Sequence, residues 1–252
     1  MKTVIFSWQQ KCENMPQTET ANFWGLGDGL KGIITTYQYC KKYNYKFVLD
    51  IHKHPISHFL KYSDSTYSTF LDSISVPFVQ DVPRYLRTNQ HLDIIPLFSN
   101  SQQFETIDED TKLLIRNILV LKDESSLNTK YNTFHFRLGD LNIKQNNNID
   151  QVFDTCMNIL KRHSKNGDYI CSDSFLFKQK VAEILPDLNI LNKDKQSGHV
   201  GYETDLQKIK TTIDDLQLLT NSTCIYSYNI YGGLSAFSYI IAKCFNIQHI
   251  IC

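Results

Sequence analysis

The sequence predicts an α/β protein in two halves, each built on a parallel sheet. Short apolar runs alternate with amphipathic stretches of about 10–15 residues, which is the pattern of successive βαβ units. At 252 residues, 42% of them apolar, the chain can fill one large core or two smaller ones. The alternation is cleanest after residue 130, and the polar turn from Lys122 to Lys130 divides the chain into halves at 1–125 and 126–252.

In order, Thr3 to Ser7 reads as a first strand, and a polar stretch from Gln9 to Asn22 leads into a glycine cluster. Leu30, Ile33, Ile34 and Tyr37 share one helical face, so a helix is expected from Leu30 to Tyr43, then a strand from Tyr45 to Ile51. His52 to Asn100 holds four of the six prolines and reads as short helices and loops with room for an insertion. Asp108 to Leu121 looks helical. The second half then alternates. Strands are expected at Thr133 to Arg137, Tyr169 to Cys171, Leu188 to Leu191, Thr223 to Tyr228 and Ile247 to Ile251. Helices are expected at Ile149 to Arg162, Leu176 to Leu185, Thr204 to Leu219 and Gly233 to Phe245.

Composition excludes several classes. Lys+Arg and Asp+Glu are 26 each, so the basic excess expected of a dedicated nucleic-acid binder is missing. No apolar run approaches the ~20 residues that span a bilayer, and Val4 to Trp8 is too short for a signal-peptide core. The seven cysteines are scattered, odd in number and contain no C-x-x-C pair, which weakens zinc and redox readings. A cytoplasmic protein with reduced thiols is the expectation. Asn221-Ser222-Thr223 then matches a glycosylation sequon by coincidence.

Gly27-Asp28-Gly29-Leu30-Lys31-Gly32 matches G-x-G-x-x-G, with Asp50 near the place of a ribose-binding acid. The context is wrong for NAD or S-adenosylmethionine. In that fingerprint the strand runs directly into the glycine turn, and here a long polar stretch intervenes. The plainer reading is a glycine turn that starts a helix with Asp28 as N-cap, where a sugar or phosphate could also approach the backbone.

His135-Phe136-Arg137-Leu138-Gly139-Asp140 follows a strand, and ligands in open α/β sheets bind beyond the carboxyl ends of strands. An arginine there can hold a diphosphate by two parallel charged hydrogen bonds, with Asp140 orienting it. The bland alternative is a surface Arg–Asp pair beside a core histidine. Cys171-Ser172-Asp173-Ser174 ends the next strand and opens a helix, suiting either a phosphate or simple capping. Tyr231-Gly232-Gly233-Leu234-Ser235-Ala236-Phe237-Ser238 is a third strand-to-helix turn of small and polar residues.

Together with Asp214-Asp215-Leu216-Gln217-Leu218-Leu219 and Gly25-Leu26-Gly27-Asp28-Gly29-Leu30, these segments resemble the fucosyltransferase superfamily: the nodulation, α-1,2, xyloglucan and protein O-fucosyltransferases. The likeness covers the second half well and the first half at the glycine loop and the following strand. It implies a GT-B fold, two Rossmann-like halves with parallel sheets facing a cleft. It also implies inverting transfer from a nucleotide sugar, commonly GDP-fucose, to a glycan hydroxyl, with no metal and no cofactor. Residues 1–125 would be the acceptor side and 126–252 the donor side. Arg137 would bind the β-phosphate, and Gly139 and Asp140 would form its turn. Ser172, Asp173, Ser174, Ser235, Phe237 and Ser238 would line the phosphates and ribose, and His135 and Asp173 the nucleotide. Against the family pattern the chain is short, and it is expected to do without the secretory anchor of the eukaryotic members; a trimmed acceptor domain or a donor other than GDP-fucose would fit that length.

Asp28 matches the place of an acid that some members carry and is the candidate catalytic base for the acceptor hydroxyl, although a helix start makes an acid a weak base. Asp50, His52 and His54, at the next strand end, compete for that role, and Asp50 could instead bind the acceptor. The other readings left open are a non-catalytic nucleotide- or glycan-binding module and a dinucleotide enzyme. Asp108-Glu109-Asp110 is read as a first-turn acid cluster rather than a metal site.

Overall fold

The computed structural model describes residues 1–8, 25–123, 130–139, 149–201 and 203–252. The chain divides into two compact units, Met1–Asp123 with His199–Thr204, and Glu124–Gly198 with Asp205–Cys252. The return of His199–Thr204 to the first unit has no counterpart in the sequence reading.

The first unit holds a three-stranded parallel sheet in the order β2-β1-β3, from β1 (Thr3–Ser7), β2 (Lys46–Asp50) and β3 (Ile94–Leu97). Helix α1 (Leu26–Tyr43) connects β1 to β2, so its N-terminus lies at the carboxyl end of β1. A 3-10 turn (Pro55–His58), α2 (Ser68–Asp72) and α3 (Val82–Thr88) fill the connection to β3, and α4 (Glu109–Ile118) follows. Strand β3 corrects the sequence reading, which placed no strand in this region. Its Asp-Ile-Ile-Pro-Leu string is short and interrupted by Pro96, whose missing N–H an edge strand tolerates. Asp108 caps α4 by accepting the Thr111 N–H at 2.9 Å, as a first-turn acid should.

The start of α1 is a second correction. The helix begins at Leu26, four residues before the expected start, with Gly25 as N-cap making no side-chain bond. Asp28 is therefore no N-cap. It lies in the first turn, where its carboxylate meets Lys31 Nζ at 2.6 Å. The glycines answer to packing. A Cβ on Gly29 would stand 2.5 Å from the buried Trp8 indole, and one on Gly32 1.7 Å from the Ser99 carbonyl oxygen. Gly27 is a buried member of the same first turn. The run thus lets α1 lie close against β1 and the loop after β3, and this accounts for its dinucleotide-like spacing. Gly32→Ala must displace backbone, at a cost of about 3 kcal/mol. Thermal unfolding should show a melting temperature lower by at least about 5 °C; an unchanged value would contradict this close approach.

The second unit holds a five-stranded parallel sheet in the order β6-β5-β4-β7-β8. Its strands are β4 (Asn132–Arg137), β5 (Tyr169–Ser172), β6 (Asn189–Ile190), β7 (Cys224–Asn229) and β8 (Gln248–Ile251). Helices α5 (Ile149–His163), α6 (Phe175–Ile184), α7 (Leu206–Thr220) and α8 (Ala236–Phe245) make the crossovers. Counted within the unit, the order is 3-2-1-4-5, that of a doubly wound nucleotide-binding half. Alternation along β4 sends Phe134 and Phe136 into a core with Phe153, Met157, Leu160 and Phe177. Thr133 and His135 take the opposite face, where Thr133 Oγ1 donates to Leu218 O and His135 meets Phe237. The described cysteines are free thiols, all buried but Cys252. Among the described residues no helix is long and apolar enough to cross a membrane.

Candidate functional site

In the second sheet the connections reverse direction between β4 and β7, the switch point at which such sheets bind ligands beyond their carboxyl ends. Arg137 is the last residue of β4, in register with Asn229, the last of β7. The Ile230 N–H donates to the Arg137 carbonyl at 3.1 Å and prolongs the ladder by one step. The chain then leaves β4 through the buried Leu138 and through Gly139, whose φ of +65° is the left-handed conformation that glycine adopts without strain.

Asp173 organises this turn from the end of β5. Its Oδ1 accepts the N–H of Leu138 at 2.7 Å and that of Gly139 at 3.1 Å, and its Oδ2 accepts from Arg137 Nη1. A single carboxylate therefore shapes the loop and aims the guanidinium. The sequence reading gave the orienting role to Asp140, which lies outside the described residues, and gave Asp173 to the nucleotide. Arg137 remains 37% exposed, with its guanidinium carbon 6.0 Å from the ring of the exposed Tyr231. Among the described residues, one of its five N–H groups meets Asp173.

The neighbouring serines are occupied inside the turn. Ser172 Oγ donates to Phe136 O at 2.9 Å and accepts the Ser174 N–H at 3.1 Å, and Ser174 Oγ caps α6 by accepting the Phe177 N–H at 3.2 Å. Both are buried. They take the structural role that the capping alternative allowed, and position Asp173 between them.

Across the switch point, Asn229 shapes the turn into α8. Its Oδ1 accepts the Tyr231 N–H and its Nδ2 donates to Gly232 O, each at 3.2 Å, and Gly232 and Gly233 follow with φ of +77° and +71°. Ser235 is the N-cap of α8 but makes no side-chain cap bond. The helix ladder starts with the Tyr239 N–H to Ser235 O, so the amides of Ala236 and Phe237 precede it, as at any uncapped helix start. Ser238 is buried, with its hydroxyl turned back toward Ser235 O at 3.4 Å. Phe237 meets the His135 ring edge-on at 5.7 Å. His135 is 6% exposed, and burial pushes its pKa down to about 4; Asp173 opposes this, while Arg137 and His249 add to it. The ring is neutral at neutral pH, and it lies beneath the α8 turn.

Two contributors escaped the sequence reading. Asn229 carries no motif signal beyond its place before a Gly-Gly pair. Lys178 sits mid-helix in α6, buried, its Nζ donating to Lys195 O at 2.9 Å and so anchoring the loop after β6. Asp215 was quoted only as part of a pattern. Burial raises its pKa to about 7, against the pull of Lys178.

The remaining residues of the sequence reading, Gly27, Asp28, Gly29 and Asp50, belong to the first unit. There Asp50 ends β2, and its Oδ1 lies 2.5 Å from His52 Nδ1. Among the described residues no group of three or more His, Cys, Asp or Glu side chains is placed to hold a metal ion.

No protein-family model matches the chain, and no curated protein matches it. Solved structures do. The chain is similar to the alpha-1,6-fucosyltransferase NodZ soaked with GDP-fucose, at 15% identity and a TM-score of 0.56, covering 96% of this chain and 92% of that one. It is similar to fucosyltransferase NodZ from Bradyrhizobium at 14% identity and a TM-score of 0.57, over 95% and 92% of the two chains. NodZ co-crystallised with GDP gives 14% identity and a TM-score of 0.54, over 95% and 91%. The α/β fold of this chain, with its two parallel sheets, is the fold of these fucosyltransferase structures.

Proposed function

We propose that the chain is an inverting glycosyltransferase that moves a sugar, in the first place fucose from GDP-fucose, onto a glycan hydroxyl without a metal ion. The reading rests chiefly on one observation: Arg137, fixed by Asp173, stands at the switch point of a 3-2-1-4-5 sheet, where the neighbouring strand β7 leads into the uncapped start of α8. Both features suit a diphosphate. The helix start offers backbone N–H groups and the positive end of a dipole, and the guanidinium offers a fork that matches phosphate oxygens. The Leu138 and Gly139 amides are already taken by Asp173, so the diphosphate would rely on Arg137 and the α8 turn. The likeness to structures determined with GDP and GDP-fucose favours that donor.

In the transfer, the acceptor oxygen bonds to the anomeric carbon as the carbon–oxygen bond to the β-phosphate breaks, and the electron pair leaves with the nucleoside diphosphate. Charge grows on the β-phosphate oxygen, and a cation fixed there stabilises the transition state more than the bound donor. The hydroxyl proton needs an acceptor. Asp28 is ion-paired with Lys31 through one carboxylate oxygen, and Asp50 Oδ2 has no hydrogen-bond partner among the described residues. The first unit would hold the acceptor.

Transfer should persist in excess EDTA, because the leaving diphosphate would be stabilised by the Arg137 guanidinium rather than by a metal ion. Product formation before and after chelation checks this. Abolition by EDTA with recovery in Mg²⁺ or Mn²⁺ would refute the metal-free mechanism.

A further inference from the structure

At the carboxyl end of the first sheet, two buried polar atoms have no hydrogen-bond partner among the described residues: Asp50 Oδ2 and His54 Nε2. Both side chains belong to residues that are 1% exposed. They lie four positions apart around the turn that leaves β2, closed by the His54 N–H donating to Ile51 O at 2.9 Å.

Their hydrogen-bonding characters are fixed by what the other end of each group does. Asp50 Oδ1 is engaged with His52 Nδ1 at 2.5 Å and with the His52 backbone N–H at 3.3 Å. Its Oδ2 is therefore an acceptor without a donor. His54 Nδ1 accepts the Ile56 N–H at 3.1 Å, so that nitrogen carries the lone pair and the hydrogen sits on Nε2. Burial, which pushes the His54 pKa down to about 3, keeps the ring neutral. His54 Nε2–H is thus a donor without an acceptor, held by the Trp8 ring at 5.0 Å between centroids.

A buried donor and a buried acceptor without partners among the described residues, on one turn at the end of β2, are costly to the folded chain, and such exceptions call for a ligand or an ordered partner. A hydroxyl group has both complements, an O–H to give and lone pairs to receive. We propose that this strand end is a carbohydrate-hydroxyl subsite, in which Asp50 Oδ2 accepts a sugar O–H and His54 Nε2–H donates to a sugar oxygen. As the acceptor subsite it rests on the glycosyltransferase reading, but sugar binding itself does not require that reading.

The test uses the full chain without donor. Saturation-transfer NMR with the methyl glycosides of glucose, galactose, mannose and N-acetylglucosamine should show saturable binding of at least one. Asp50→Asn keeps an oxygen for His52, and His54→Asn keeps an acceptor for the Ile56 N–H, so both should melt within about 2 °C of wild type. Each should weaken glycoside binding by about tenfold or more, while GDP binding stays unchanged. Binding of none of the four glycosides, or equal binding by folded variants, overturns the subsite. Glycoside binding lost in the variants, in a protein that binds no GDP, would uphold the subsite and refute the glycosyltransferase reading.

Discussion

Arg137→Ala should bind nucleoside diphosphate more weakly than wild type and lose turnover by roughly a hundredfold or more. Truncation removes two charge-assisted hydrogen bonds to the leaving group, together about 3–5 kcal/mol. Part of that is already present in the donor complex and appears as affinity; the rest develops as the sugar–phosphate bond breaks and appears as kcat. Arg137→Lys should recover little. An ammonium is a point charge, and it cannot bond Asp173 and hold a diphosphate along a planar fork at once. The neighbouring strand-end turns at 172–174 and 229–235 contain no second arginine to replace it. Steady-state kinetics and diphosphate titration on folded proteins measure both parts. Normal turnover in the alanine variant would reduce Arg137 to a surface ion-pair partner of Asp173.

Asp173 should show two separable effects. Its carboxylate receives two backbone amides and the guanidinium, so Asp173→Ala leaves three donors without an acceptor. A loss of about 2–3 kcal/mol of stability is expected, discounted for the 20% exposure of the side chain, with turnover falling as the β4 turn loosens. Asp173→Asn is the sharper variant. Its carbonyl oxygen can still take the Leu138 and Gly139 amides, so the melting temperature should stay within a few degrees of wild type, at a cost of about 1 kcal/mol or less. Its NH2 group faces Arg137 donor to donor, so the guanidinium loses its aim and turnover should fall by about tenfold or more. An asparagine variant as active as wild type would mean that Asp173 shapes the turn but does not orient Arg137.

What the sequence made legible follows from which signals are local. The strands and helices of the second unit could be read because each is a short apolar run or an amphipathic stretch between turn residues. The ends of β4, β5 and β7 could be read as lying together, and so as a candidate site, because parallel sheets gather carboxyl ends on one edge. Partnerships formed in space could not be read. Asp140 is three positions from Arg137 in sequence and lies outside the described residues; among those described, Asp173 meets Arg137, brought beside it by the pairing of β4 with β5. Ser172 and Ser174 fit a phosphate turn as well as a cap, and only their burial and engaged hydroxyls distinguish the two. Gly27, Gly29 and Gly32 looked like a turn because glycine weakens helices; contact with Trp8 and the Ser99 carbonyl outweighs that at Gly29 and Gly32. Strand β3 was hidden by Pro96, and the return of His199–Thr204 to the first unit has no compositional mark. The open valences of Asp50 and His54 depend on burial, which a single sequence does not carry.

The central claim is that the β4–β7 switch point binds a nucleoside diphosphate through Arg137. Calorimetric titration of GDP into wild type and Arg137→Ala, with Asp28→Asn as a control in the other unit, tests it most directly. One saturable site is expected in wild type, at least about tenfold weaker in Arg137→Ala and unchanged in Asp28→Asn. No binding of GDP by wild type, or equal binding by folded Arg137→Ala, would contradict it.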